Sequence, residues 1–282
     1  MSSECKPTSN NPLPNNPLPQ IKHVIAVGAG KGGVGKSTIA VNVAVALARQ
    51  GHKVGLMDGD IYGPSMPTLL GIRGLPPELS GGKMVPAFAH GIHVVTIGSL
   101  VESDKPLIWR GPMAHGAFKQ LLVDQTIWPQ LDYLIVDLPP GTGDVPLSLC
   151  QLLPLRGAVV VATPQQVALD DCIRAINMFR TLNTPVLGIV ENMSYFVQPD
   201  GTVADIFGRG GAQKAAQELG VPFLGELPMY QELRINSDAG NPTANFTGAP
   251  KLRDALEAIT RNLAAQIDLQ AMQRPEIQMN VK

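Results

Sequence analysis

Cysteine is scarce in this chain: three residues in 282, at Cys5, Cys150 and Cys172. An odd and widely spaced set implies no disulfide framework and points to a reducing compartment. Charge is sparse too, at 16% of residues, and it balances to a formal −1 with a pI near 6.5. That balance leaves no electrostatic footprint for nucleic acid or for an anionic membrane surface, so neither is expected as a partner. No uncharged apolar run reaches the length of a membrane span, and the N-terminus lacks the apolar core of a signal peptide. Together these absences read as a soluble, cytoplasmic protein.

Apolar material is what the chain has in quantity, at 44% of residues, ample for a sizeable core. The length fits one large domain or two small ones. Residues 1–20 are rich in Pro, Asn and Ser, with the near-repeat Asn11-Pro12-Leu13-Pro14 and Asn16-Pro17-Leu18-Pro19. Such a segment cannot bury a core and reads as a disordered tail.

The chain is organised around Gly30-Lys31-Gly32-Gly33-Val34-Gly35-Lys36-Ser37-Thr38. An apolar run, His23 to Val27, precedes it and reads as a buried strand; Ile39 to Leu47 follows and reads as a helix buried nearly all round. A strand, a glycine-rich turn and a helix make a phosphate site, because the glycines let backbone N–H groups point inward and the helix N-terminus adds a positive dipole. The pattern G-x-x-x-x-G-K-[ST] is met from Gly30 to Ser37, so Lys36 reaches β- and γ-phosphates and the Ser37 hydroxyl ligates Mg²⁺.

Further strands are expected at Lys53–Asp58, Ile92–Ile97, Leu131–Asp137, Gly157–Thr163, Pro185–Val190 and Pro222–Gly225. Two end in acids that fall where ligands collect in open α/β sheets. Asp58-Gly59-Asp60 closes one. Asp137 closes the other as a Walker-B acid serving Mg²⁺. Leu138-Pro139-Pro140-Gly141-Thr142-Gly143-Asp144 then forms a loop suited to sensing a γ-phosphate through Gly141, Thr142 and Gly143. The Gly/Pro-rich stretch from Asp60 to about Val101 reads as loops around its single strand, with His90 and His93 as ordinary surface histidines. Helices are expected from Arg110, from Gln166 to about Arg180, from about Gly210 to Leu219, and across Leu252, Leu256, Ile259, Leu263 and Ile267. Cys150 and Cys172 fall on helical stretches as small core hydrophobes.

Apolar strands alternating with helices and lacking hairpin turns give an α/β fold: a doubly wound, mainly parallel sheet of about seven strands with helices on both faces. One P-loop domain is expected over residues 21–268, with a tail at 269–282.

The doubled-lysine loop resembles the deviant Walker A of the MinD/ParA/nitrogenase-iron-protein superfamily. Asp58 to Ser65, Asp137 to Asp144, Thr163-Pro164-Gln165 and Glu191-Asn192-Met193-Ser194-Tyr195-Phe196 narrow the resemblance to the Mrp/ApbC branch of iron–sulfur cluster carrier ATPases. It implies a homodimeric ATPase using ATP and Mg²⁺, a [4Fe–4S] cluster as cargo, and apoprotein clients of iron–sulfur assembly. By the same resemblance the loop from Gly30 to Thr38, including Gly32, Gly33, Val34 and Gly35, binds nucleotide, with Lys36, Ser37 and Thr38 on the phosphates and Mg²⁺. Lys31 reaches the nucleotide of the other subunit, Asp60 positions the attacking water, Ser37, Asp58 and Asp137 serve the metal, and Asn192 contacts adenine. Lys31, Lys36 and Asp60 are thus the implied catalytic set. Cluster-binding members carry Cys-x-x-Cys just after the Met-Ser-Tyr-Phe run, where this chain reads Val197-Gln198-Pro199-Asp200-Gly201. A second reading follows from that departure: a nucleotide-switched assembly or positioning factor that carries no cluster itself.

Overall fold

The structure is a computed structural model that describes residues 17–60, 63–96, 116, 119–120, 124–198 and 200–273. Cys5, residues 1–16 and 274–282 of the two tails, and most of the helix expected from Arg110 lie outside the described residues, while Leu18 is buried and the last helix runs to Gln273.

β1 (Ile21–Gly28) leads through the glycine-rich loop into α1 (Lys36–Arg49), and β2 (Val54–Asp58) follows. A single turn, α2 (Met66–Leu69), precedes four short strands, β3 (Glu78–Ser80), β4 (Lys83–Val85), β5 (Ala87–Ala89) and β6 (Ile92–Thr96). Then come β7 (Leu131–Asp137), α3 (Asp144–Leu152), β8 (Leu155–Ala162), α4 (Gln166–Thr181), β9 (Val186–Val197), β10 (Val203–Ala204) and α5 (Gly211–Leu219). The chain closes with β11 (Phe223–Met229), α6 (Gln231–Asp238), a 3-10 turn (Pro242–Phe246) and α7 (Pro250–Gln273).

Seven strands run parallel in the order β11-β9-β8-β1-β7-β2-β6, with β10 and β5 adding short antiparallel edges. Alternation along the central strands sends successive residues to opposite faces. Val24, Ala26, Leu134 and Val136 join one buried cluster with Leu169, Cys172, Ile176 and Phe179 of α4. Ile25, Val27, Tyr133 and Ile135 join the other with α1 and with Leu252, Leu256, Ile259, Leu263 and Ile267 of α7. That periodic row on α7 is the one expected from sequence. The doubly wound sheet is therefore as the sequence reads.

Three features differ from that reading. Residues 78–96 are hairpins rather than loops: β3 pairs antiparallel with β4 across Gly81-Gly82, and β5 with β6 across His90-Gly91. All four turn residues have positive φ, the mirror-image turn geometry whose twist suits a hairpin. His90 is also no ordinary surface histidine, because its Nε2–H donates to the Leu70 carbonyl at 3.0 Å and its Nδ1 pairs with the Thr243 hydroxyl at 2.9 Å. Finally β9 and β11 outrun their expected limits by pairing with each other through Met229↔Phe196. β11 pairs with β9 alone and takes Pro228 at a register shift, where its missing N–H costs no ladder bond.

Candidate nucleotide site

Parallel pairing brings the ends of β1, β2 and β7 together, with Val27↔Asp137 and Asp58↔Asp137 in register. Both acids are fully buried, and Lys36 at the first position of α1 is 6% exposed. Lys36 Nζ donates to Asp137 Oδ1 at 2.7 Å, and Ser37 Oγ donates to Asp137 Oδ2 at 2.6 Å. Asp58 accepts from Thr96 Oγ1 at 3.0 Å and from the Asp60 N–H at 3.1 Å. Burial, then the like charge of Asp137, pushes the Asp58 carboxyl up to about 7. Burial also raises Asp137, against the pull of Lys36.

The loop itself is shaped by what approaches it. Gly35 caps α1 in the left-handed region at φ 80°, and a Cβ there would lie 2.2 Å from Asn192 Nδ2. That amide reaches across from β9 and donates to the Val34 carbonyl at 2.8 Å. Gly30 has a packing reason as well, since a Cβ would fall 2.0 Å from the main-chain oxygen of Asp171 in α4. Gly32 and Gly33 are exposed and open, Thr38 is half-buried, and Lys31 is half-buried with no ion pair among the described residues. Gly141 N–H donates to the Ala29 carbonyl at 2.9 Å, holding the Gly141-Thr142-Gly143 turn against the loop.

The structure thus brings Lys36, Ser37, Asp58, Asp60, Asp137 and Asn192 around one loop. Ser37 Oγ and the oxygens of Asp137, with Asp58 on the neighbouring strand, form an all-oxygen donor set that suits Mg²⁺. Cys150 and Cys172 are apart from it, buried in the opposite cluster, and burial pushes both thiols up to about 12.

Sequence reasoning missed several partners. Thr96 is a polar residue closing an apolar strand in register with Asp58, a legible signal. Glu191 ends an apolar run as Asp58 and Asp137 do, but its carboxylate accepts the N–H groups of Gly210 and Ala212 at 2.9 and 2.7 Å, capping α5. A buried amide chain had no sequence signal. In it Asn236 donates to Asn245 at 2.9 Å, Asn245 to Asn42 at 2.8 Å, and Asn42 to the Thr38 carbonyl at 2.8 Å.

Known proteins are similar to this chain in sequence and in fold. The family model described as ParA, NUBPL iron-transfer P-loop NTPase, matches residues 20–264. An iron-sulfur cluster carrier protein of Deinococcus radiodurans is 51% identical over 256 residues, covering 90% of this chain and 72% of that one. The protein of the same description from Escherichia coli K12 is 47% identical over 259 residues, covering 91% and 69%. Among solved structures, a nucleotide-binding protein of Archaeoglobus fulgidus in complex with ADP superposes with a TM-score of 0.71 at 39% identity, covering 80% of this chain and 89% of that one. The cell division ATPase MinD of Pyrococcus furiosus shares the fold at 20% identity, with a TM-score of 0.64 and coverage of 86% and 98%. The chain belongs to the family of ParA/NUBPL iron-transfer P-loop NTPases.

Proposed function

We propose that this chain is an Mg²⁺-dependent, ATP-hydrolysing homodimeric switch that passes iron–sulfur clusters to apoproteins. The observation that carries the nucleotide half is the buried Lys36–Asp137–Ser37 group beneath the positive-φ Gly33 and Gly35. A triphosphate offers Lys36 a better acceptor than Asp137, so binding frees the carboxylate and the Ser37 hydroxyl. Those oxygens, with Asp58, would hold Mg²⁺, which neutralises phosphate charge when bound. Asn192 is oriented by the Val34 carbonyl, which occupies its N–H; its own oxygen is left to accept from the exocyclic amine of adenine. Asp60 is close enough for its charge to act on Asp137, a position from which it orients water toward the γ-phosphorus. Attack then forms a P–O bond to water and breaks the bond to the ADP oxygen. Lys31 serves the other subunit's phosphates, and Gly141 to Gly143 follow the γ-phosphate.

Phosphate release from MgATP, with light scattering in ATP, ADP and no nucleotide, tests this reading. A larger mass with ATP alone is expected; one mass in all three states overturns the dimeric switch.

The buried cysteines favour a second reading of the cargo. A [4Fe–4S] cluster takes four thiolates. Thiols held near 12 inside a helical core resist becoming thiolates. On this reading a partner completes any cluster the dimer handles, or the dimer acts on clients without one. Anaerobic reconstitution with iron and sulfide, followed by gel filtration, distinguishes the two. Little retained iron is expected. About four irons per dimer, lost in a variant with all three cysteines changed to serine, establishes the chain as a cluster holder.

A further inference from the structure

The second half of β9 carries four unusual residues in succession. Glu191 is fully buried and binds the N-terminal amides of α5. Asn192 binds the phosphate loop. Met193 follows at φ 55°, a left-handed conformation that an unbranched side chain adopts only at a cost. Ser194 is fully buried, and its hydroxyl has no hydrogen-bond partner among the described residues. A strained backbone beside an unsatisfied hydroxyl marks a segment held short of its most comfortable arrangement.

What lies on the far side of that segment is a surface. Arg209 directly precedes the Gly210 amide held by Glu191. Its guanidinium carbon lies 4.1 Å from the centre of the Tyr195 ring, and it forms a two-pronged ion pair with Glu226 of β11. Val203 and Ile206, a few residues earlier in the chain, are exposed at 50% and 57%. Neighbouring residues of one strand therefore hold the phosphate loop and the turn that presents this face.

We propose that Glu191 is a positioning residue and that the end of β9 couples the two: nucleotide contact at Asn192 is registered at the Gly210–Ala212 turn, so that the Tyr195–Arg209 face responds to nucleotide. The proposal rests on the nucleotide reading above. Its physical basis is differential stabilisation. A base that engages Asn192 favours one arrangement of a strained strand end, and the same strand end holds the cap of α5. Ordering it tightens the bonds from Gly210 and Ala212.

Hydrogen exchange of the full chain, read in peptides across 207–216 with and without MgADP, tests this, with calorimetry on the same samples. Exchange at the turn is expected to slow about fivefold on binding. Asn192→Ala, at nucleotide about ten times its own Kd, keeps the phosphate contacts and is expected to lose that difference. Glu191→Gln, which keeps the shape and loses one acceptor, is expected to exchange fast in both states; a merely structural role would leave the nucleotide-dependent difference in place. Binding by calorimetry without any change at 207–216 overturns the coupling and leaves the nucleotide reading standing. So does a difference undiminished in Asn192→Ala. Absence of binding overturns both.

Discussion

At the carboxyl ends of β1, β2 and β7 the charged groups are buried and bonded to one another: Lys36 at 6% exposure, Asp58 and Asp137 at 0%. On the surface by β9 and β11 the ion pair is Arg209–Glu226, with side chains 44% and 32% exposed. A buried ion group tolerates little change, because removing one member strands the other without solvent or partner. A surface pair is screened and replaceable. The difference separates a centre of mutually dependent groups from a surface pair that can be changed with little cost elsewhere.

Breaking the buried end gives the largest effect. In the proposed site Lys36→Ala removes charge-assisted bonds to phosphate worth roughly 1.5–3 kcal/mol each, and it leaves Asp137 buried without its cation. Nucleotide affinity, measured by calorimetry, is expected to fall by about two orders of magnitude, and phosphate release to stop. Hydrolysis at the parent rate in this variant contradicts the site.

Asp60→Ala sharpens the comparison within the same end. In the proposed mechanism its carboxylate acts on the attacking water, so turnover is expected to fall about a hundredfold with affinity retained. Lys31→Ala is expected to retain affinity as well, yet to lose both hydrolysis and the ATP-stabilised dimer in light scattering, as for a cation supplied in trans. A monomer-like response in Asp60→Ala, or intact dimers in Lys31→Ala, separates the two roles wrongly assigned.

Acidity at the buried end has a sign that can be checked. The Asp58 carboxyl stands at about 7 in the folded chain against an ordinary 3.8. Between those values the folded protein keeps a proton that the unfolded chain has released. Stability contributed by this group is therefore full below about pH 4 and declines as pH rises to about 7, by up to about 1.4 kcal/mol per pH unit. Asp137 is shifted in the same direction. Urea titrations without nucleotide or Mg²⁺ are expected to show that decline, and Asp58→Asn to flatten it. A slope unchanged in Asp58→Asn assigns the proton elsewhere.

Legibility in the sequence follows the same division. Runs such as Leu131 to Asp137 announce a buried strand and its terminal acid at once, since parallel strands covered on both faces are continuously apolar. The loop from Gly30 to Thr38 is a local motif, legible from its own residues and spacing although distant residues pack against it. β3, β4 and β5 are three residues each, too short for alternation to register, although Gly81-Gly82 is a hairpin signal in its own right. The Asn42–Asn245 bond joins residues far apart in the chain, and no spacing predicts it. Glu191 carried the same mark as the metal-side acids, an apolar run ending in a carboxylate. Only tertiary packing shows that its partners are amides of α5.

Breaking the open end gives the smallest effect. The Arg209–Glu226 pair is two-pronged, at 2.6 and 3.2 Å, and Arg209 also stacks on Tyr195. Exposed ion pairs contribute about 0.2–1 kcal/mol, and an exposed cation–aromatic contact about 0.5–1 kcal/mol. Arg209→Ala is therefore expected to lower the melting temperature by only a few degrees, and Glu226→Ala by less, because the ring contact survives. High salt should shrink the Glu226→Ala effect, where ions screen the pair, more than the portion due to stacking. A double-mutant cycle separates the two: a coupling energy well above about 1 kcal/mol means that the pair is shielded from solvent. The face around Arg209 is then a second rigid centre rather than a tolerant surface.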